Sequence, residues 1–411
     1  MKRLIVIPFI LILFIIAPAW SQVKTGLDVL IATKFEAIRG LRVGVITNQT
    51  AVSAGGTHIV DVLRSAPDVQ LKAIFGPEHG VSGKNEAGDA IESSDEDSTA
   101  IPVYSLYGVT RTPTAAMFEN LDALIFDIQD VGTRFYTYIS TMNNTMEAAA
   151  AYGKKYIVLD RPNPVNGVMV EGPVLSPEHK SFVGIQPIAL RHGMTVGELA
   201  TMFNEEGWLK AGKKVDLTVV KMQGWERPMF FEETGLSWIP PSPNMPTTET
   251  ALIYCGIGLI EATNLSEGRG TKAPFKQFGA PWLDAQLLID ELQKQDISGV
   301  RLRAVKFTPV DIPGMATNNK YDKQQCNGIQ ISVMDAQKFH SVALGLQVLT
   351  LLQKHYAEKF ELKPKWLNKL TGQGGIAEAI RSGEAAKTIM GRWNDDLQKF
   401  SQKRANYLLY Q

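Results

Sequence analysis

Cysteine is nearly absent from this chain: Cys255 and Cys326 are the two present in 411 residues. The six histidines are scattered, with no H-x-x-x-H and no paired Cys/His spacing, so there is no zinc-site pattern. Both cysteines lie in apolar, strand-like segments, which leaves open either a disulfide in an oxidising compartment or two buried thiols. Net charge is also absent, with 42 basic and 42 acidic side chains. Nothing electrostatic therefore favours nucleic acid or an anionic membrane as the main partner. No G-x-G-x-x-G opens the first helix, because Val45-Ile46-Thr47-Asn48-Gln49 contains no glycine, and the dinucleotide reading fails. A Walker A sequence and a G-x-S-x-G elbow are missing too. There is no internal repeat and no low-complexity tract, and past the N-terminus no apolar run is long enough to span a membrane.

What is present begins with a leader. Lys2 and Arg3 precede an apolar run from Leu4 to Ile16, followed by Ala17-Pro18-Ala19-Trp20-Ser21. A charged start, a short apolar stretch and a small-residue cleavage site describe a secretory signal peptide over residues 1–21. The run falls short of the ~20 residues a spanning helix needs. No cysteine follows it, so no lipoprotein anchor is expected. The mature protein is expected to be secreted, into the periplasm, with no integral membrane segment.

The remaining length suggests two domains. Strand-like runs at Arg42–Thr47, Leu71–Phe75, Ala123–Phe126, Tyr156–Leu159 and Val215–Val220 alternate with helical patterns at Thr57–Ser65, Tyr138–Tyr152 and Val196–Glu206. Such alternation predicts an α/β layer with a mostly parallel sheet. Val81–Ser98, with Asp95-Glu96-Asp97 near its end, reads as a solvated acidic excursion. Repeated prolines in Glu226–Thr248 cannot continue a helix or a central strand and mark the candidate boundary. The first domain is thus placed at 22–248 and the second at 249–411. In the second, Thr248–Ala262 reads as a helix or buried apolar segment, Ala304–Phe307 and Gly328–Val333 as strands, and Ala336–Gln353 and Gly383–Ser401 as amphipathic helices.

Four of the early strands end in polar, acid-bearing knots. In an open parallel sheet the ligand crevice lies beyond the carboxyl ends of the strands, so these knots converge. The first carries Asn48 and Gln49. The second, Gly76-Pro77-Glu78-His79-Gly80, is a rigid turn that aims Glu78 and His79 at the crevice, and Glu78 fits a general acid/base. The third holds Asp127, Gln129, Asp130, Arg134, Tyr136 and Tyr138. Its tyrosines suit stacking on a sugar or core packing, and its Asp130 and Arg134 suit substrate binding or a structural ion pair. The fourth, Asp160-Arg161-Pro162-Asn163-Pro164, offers Asn163 as a ligand contact and Asp160–Arg161 as contact or brace, with an X-Pro bond that can be cis. His192, in Arg191-His192-Gly193-Met194-Thr195, reaches the crevice or braces its loop. Asn264, Glu267 and Arg269 lie in a Gly-bounded loop that would face the first domain from across a cleft.

Six of these stretches occur together and in order: GPEHG at Gly76, DIQDVGTRFYTY at Asp127, DRPNP at Asp160, RHGMT at Arg191, PSPNMPT at Pro241 (which contains Asn244) and NLSEGRGT at Asn264. On them the chain resembles the bacterial exo-β-N-acetylmuramidase family, glycoside hydrolase family 171, long catalogued as a domain of unknown function. The resemblance spans the mature chain. It implies a Rossmann-like catalytic domain, a smaller α+β auxiliary C-terminal domain, and an active-site cleft between them. It further implies removal of terminal N-acetylmuramic acid from the non-reducing end of peptidoglycan-derived saccharides, with Glu78 as the catalytic glutamate. No metal or other cofactor is expected, because ligand spacing for one is absent. A glycosidase needs two acidic roles, or one helped by the substrate's N-acetyl group. Asp127 and Asp130 are the candidates for the second role, and Arg134 or Arg269 for reading the lactyl carboxylate. The residues by themselves also suit a non-catalytic binder of cell-wall sugars or small anions, or a carboxylate-based metallohydrolase.

Overall fold

The structure, a computed structural model, describes residues 22–86, 94–96, 101–108 and 110–411. The expected leader lies outside the described residues, as does much of the acidic excursion, including Asp97.

Strands β1 (Arg42–Thr47), β2 (Gln70–Gly76), β3 (Ser94–Glu96), β4 (Ile101–Ser105), β5 (Ala123–Asp127) and β6 (Lys155–Leu159) come first in the chain. An antiparallel pair, β7 (Glu171–Val174) and β8 (Ala189–Arg191), is inserted before β9 (Asp216–Val220). The main sheet has the order β3-β4-β2-β1-β5-β6-β9. Every neighbouring pair is parallel except β3–β4. The chain moves outward from β1 through β2 to β4, then returns to β5 and moves the other way. This is a Rossmann-like order whose switch point lies between β1 and β5.

The strands were readable because both faces of the sheet are covered, which makes them near-continuous apolar runs. Their two-residue alternation sorts the core. Val43, Val45, Ala123, Ile125, Ile157 and Leu159 pack under α1 (Gly26–Ala32) and α2 (Ile59–Ser65). Ile46, Leu124, Phe126, Tyr156 and Val158 face α3 (Tyr138–Ala151) and α4 (Val196–Glu205). Thr195 caps α4 in a box completed by Glu198, as its spacing indicates. The acidic run differs from expectation: Asp95 and Glu96 lie in the edge strand β3, paired with β4. Strand β4 escaped the sequence reading because it contains Pro102.

The C-terminal domain is smaller. It opens with α5 (Thr248–Ile257), which runs into a 3-10 turn at Gly258–Ala262. Its antiparallel sheet, ordered β10-β12-β11, joins β10 (Gln277–Ala280), β11 (Val300–Phe307) and β12 (Cys326–Val333). Helices α6 (Ala285–Gln293), α7 (Ser341–Tyr356), α8 (Pro364–Thr371), α9 (Ile376–Arg381), α10 (Ala386–Gly391) and α11 (Asn394–Arg404) complete it. The helix expected from Ala336 starts at Ser341, because the Asp335 carboxylate accepts from Gln337 N in a turn. The helix expected over Gly383–Ser401 is split, with the break beside buried Trp393. Cys255 and Cys326 are both buried free thiols. All peptide bonds of Asp160–Pro164 are trans.

One apolar core runs through both domains, carried across by α5 and α7. These helices approach so closely that a Cβ on Gly256 would stand 1.7 Å from the Ser341 carbonyl oxygen. The C-terminal tail then returns to the first domain. Tyr410 Oη donates to Asp160 Oδ2 at 2.6 Å, and Leu409 N donates to Glu198 Oε1 at 2.8 Å. Asp160 is fully buried and gathers further donors from Thr195 Oγ1, Gly197 N and Arg161 N. Tyr410→Phe removes one donor to a buried carboxyl and is expected to cost about 1.5–3 kcal/mol. Urea unfolding checks this as a lower midpoint at unchanged slope.

Candidate active site

A cleft of about 540 Å³ lies between the domains. Its floor is built by the turn after β2. His79 and Gly80 take consecutive left-handed conformations, with φ of 72° and 73°, which reverse the chain directly after Glu78. His79 Nδ1 donates to the Asn85 carbonyl at 2.6 Å and Gly80 N to that of Pro77 at 3.0 Å, so the turn is fastened from within. Glu78 is buried, 9% exposed, and its Oε2 accepts from Thr137 Oγ1 at 2.5 Å at the amino end of α3.

Tyrosines crowd this carboxyl. Tyr136 and Tyr254 pack edge to face with ring centroids 6.1 Å apart, and Tyr254 stacks further on Phe135 and Phe275. Burial, with Glu78 and other neighbours adding to it, pushes both phenols above their ordinary pKa, so they are neutral donors. Tyr136 Oη has Ser242 and Tyr138 nearby but makes no well-formed hydrogen bond. The Tyr254 hydroxyl has no hydrogen-bond partner among the described residues.

The other carboxyls on the cleft are already engaged. Glu86 accepts from Gly314 N and from Thr317 N and Oγ1, tying the first domain to a strap of the second. Asn244 Nδ2 holds the same strap through the Met315 carbonyl at 2.7 Å. Glu261 pairs with Arg269 at 2.8 Å, and Glu267 pairs with Arg269 at 3.4 Å and Lys320 at 2.9 Å. Burial works against the charge on Arg269, but its two glutamates outweigh that and raise its pKa.

Glu78, His79, Tyr136, Asn244, Glu267 and Arg269 therefore share the cleft, as the sequence suggested. The other candidates are placed elsewhere. Asp127 is fully buried in an ion pair with Arg161, whose Nη2 also reaches the Val52 carbonyl. Asn48 Oδ1 accepts from Thr50 N and Oγ1, and Gln129 Nε2 donates to the carbonyls of Asp130 and Pro162. Gln49 donates to the Pro240 carbonyl and Tyr138 to that of Pro241. Asp160 belongs to the tail clamp, Asn163 binds the Met194 carbonyl, and Asn264 ties down Lys359 and Glu361. Asp130 and Arg134 do not pair with each other. Arg134 is fully buried and donates to the carbonyls of Pro173, Ile188 and Leu370 at 2.7, 2.8 and 3.0 Å. It is not on the cleft wall, where the lactyl-reading role would require it. His192 is also fully buried, 3.8 Å from Asp130.

Sequence reasoning missed Thr137 and Tyr254. Thr137 stands next to a selected tyrosine, but Tyr254 sits in a helix that is apolar all round and so reads as core. Among the described residues no group of three His, Cys, Asp or Glu side chains is arranged to hold a metal ion.

A glutamate on a fixed turn, aromatic walls and an opposing charged loop in an interdomain cleft suit an α/β enzyme that acts on carbohydrate. Residues 43–249 match the family model described as exo-beta-N-acetylmuramidase NamZ, N-terminal, and residues 252–410 match its C-terminal counterpart. The chain is 47% identical over 390 residues to the peptidoglycan beta-N-acetylmuramidase NamZ of Bacillus subtilis (strain 168), covering 95% of this chain and 92% of that protein. Crystal structures of two DUF1343 family proteins from Bacteroides fragilis NCTC 9343 are similar, with TM-scores of 0.87 and 0.76 at 36% and 32% identity. Each covers 95% of this chain and 99% of its own. The chain belongs to the exo-β-N-acetylmuramidase family and is a glycoside hydrolase.

Asp130 yields a test of its own. Burial pushes its carboxyl up to about 7: one oxygen has no partner, and the bond the other accepts from Gly132 N offsets the burial only in part. The unfolded value is about 3.9. The folded state therefore binds the extra proton between these values, and stability falls as pH rises through the window. Asp130→Asn removes this loss, while His192, driven down to about 3 chiefly by burial, is common to both proteins. Urea unfolding at pH 5 and pH 8 is expected to show the variant gaining on the wild type at the higher pH.

Proposed function

We propose that this enzyme releases terminal N-acetylmuramic acid from the non-reducing end of peptidoglycan-derived saccharides, with Glu78 as general acid and then general base. The observation that carries this is the fixed turn presenting Glu78 to the cleft beside Thr137, Tyr136 and Tyr254. The relative from Bacillus subtilis is named for the same chemistry. The leader-like N-terminus fits an exported enzyme that meets cell-wall fragments in the periplasm.

The occupied state of Glu86, Glu261 and Glu267, and the burial of Asp127 and Asp130 off the cleft, favour a reaction with one carboxyl group. Glu78 gives its proton to the glycosidic oxygen as the C1–O bond breaks. The substrate's own acetamido oxygen forms the new bond to C1, and the positive charge spreads over the oxazolinium ring. On this reading Tyr254, on the cleft wall, donates its hydroxyl to that acetamido group, and Tyr136, whose hydroxyl is buried, supports the Tyr254 ring. Water then attacks C1, its proton goes to the Glu78 carboxylate, and the ring oxygen leaves C1 to restore the acetamide.

Glu78→Gln keeps the shape and removes the proton. Turnover of a muramic-acid-terminated disaccharide is expected to fall by roughly 10²–10⁴. A 4-nitrophenyl muramide, whose leaving group needs little protonation, falls less. Near-normal turnover of the disaccharide by a folded variant would remove Glu78 from the role.

A further inference from the structure

The cleft holds two kinds of cation. Arg269 and Lys320 are neutralised by Glu261 and Glu267. Arg111 and Lys369 also line it, and neither has an ion-pair partner among the described residues. Each instead lies against an aromatic ring. Arg111 Cζ stands 4.4 Å from the Phe182 ring centroid and 5.6 Å from that of Tyr107. Lys369 Nζ stands 5.8 Å from the ring centroid of Trp366. Such contacts hold a cation in place while leaving its N–H groups able to donate.

These two pairs come from different domains, and one buried side chain joins their supports. The Arg134 guanidinium donates to the Leu370 carbonyl in α8, directly after Lys369. Its Nε lies 3.5 Å from where a Gly184 Cβ would be, in the turn that carries Phe182. A Cβ at Gly372 would meet its Nη2 at 2.7 Å. Arg134 thus packs the Phe182 turn against the end of α8, so the supports of the two cation–aromatic pairs, both on the cleft wall, are adjacent.

Building on the function proposed above, we propose that Arg111 and Lys369 form a subsite for the carboxylate of the lactyl group on the terminal muramic acid. The lactyl group is a carboxylate next to a methyl. Two cations with no acidic partner among the described residues match the first, and the Phe182 and Trp366 rings match the second. N-acetylglucosamine has a hydroxyl at that position and gains nothing there. The specificity-determining arginine is then neither of those the sequence singled out. Arg134 supports the subsite from beneath, and Arg269 is occupied by its own glutamates.

Calorimetry with the intact protein tests this without turnover. The ligands are N-acetylmuramic acid, its lactyl amide and N-acetylglucosamine. The wild type is expected to prefer the acid over the amide by about tenfold, as for a charge-assisted contact at a partly solvated site. Arg111→Gln and Lys369→Gln should each remove most of that preference, leaving affinity for N-acetylglucosamine and the melting temperature unchanged. The proposal is overturned if the wild type does not distinguish acid from amide. It is equally overturned if both variants keep the preference, or if all three sugars weaken in parallel. Because binding alone is read, a lost acid preference counts against this subsite, while an absence of hydrolysis counts against the proposed function.

Discussion

The docking of the two domains involves a buried positive charge that pairs with no carboxylate among the described residues. Arg134 is fully buried, and its guanidinium is held by carbonyls from β7, from the residue before β8 and from α8. Its Nε has no partner, and burial draws its pKa down to about 9. A buried cation is costly unless its donors are satisfied. Here the satisfying oxygens come from segments far apart in the chain, so they are present together only when both domains are docked. The bond from Nη2 to the Leu370 carbonyl is the one that crosses between the domains, so undocking α8 leaves Nη2 buried without its acceptor.

The chemistry sits to one side of the sheet's switch point. In a dinucleotide-binding fold the crevice between β1 and β5 stays open for a ligand. Much of that ground is taken up by the protein's own polar groups: Asn48 with Thr50, Gln129 with two carbonyls, and Asp127 with Arg161. The cleft opens instead beyond β2 and β4, under the strap that Glu86 and Asn244 hold from the second domain. The same parallel sheet that could serve a cofactor here serves as a rigid base for one glutamate.

This division explains what the sequence could and could not say. The parallel strands were legible because both faces are buried, and the turn at Glu78 because glycine and proline restrict it. Which knots face the ligand was not legible. Asp127 and Glu78 both follow strands, and only the packed structure gives one a buried arginine and the other a cleft. Asp130 and Arg134 are neighbours in sequence, yet one turns toward His192 and the other toward carbonyls of later segments. Tyr254 looked like core, and Arg111 and Lys369 were not singled out, because which elements meet at the cleft is set by packing between the domains.

In the proposed reaction a single carboxyl group acts, as acid and then base, and the substrate's acetamido oxygen is the nucleophile. Its stereochemical consequence is direct, since two successive displacements at C1 restore the starting configuration. Proton NMR of the first-formed sugar from a 4-nitrophenyl β-muramide, read before mutarotation, measures it. The β-anomer is the result this account predicts. The α-anomer would mean that water attacks C1 directly, activated by a second base, and would contradict the account.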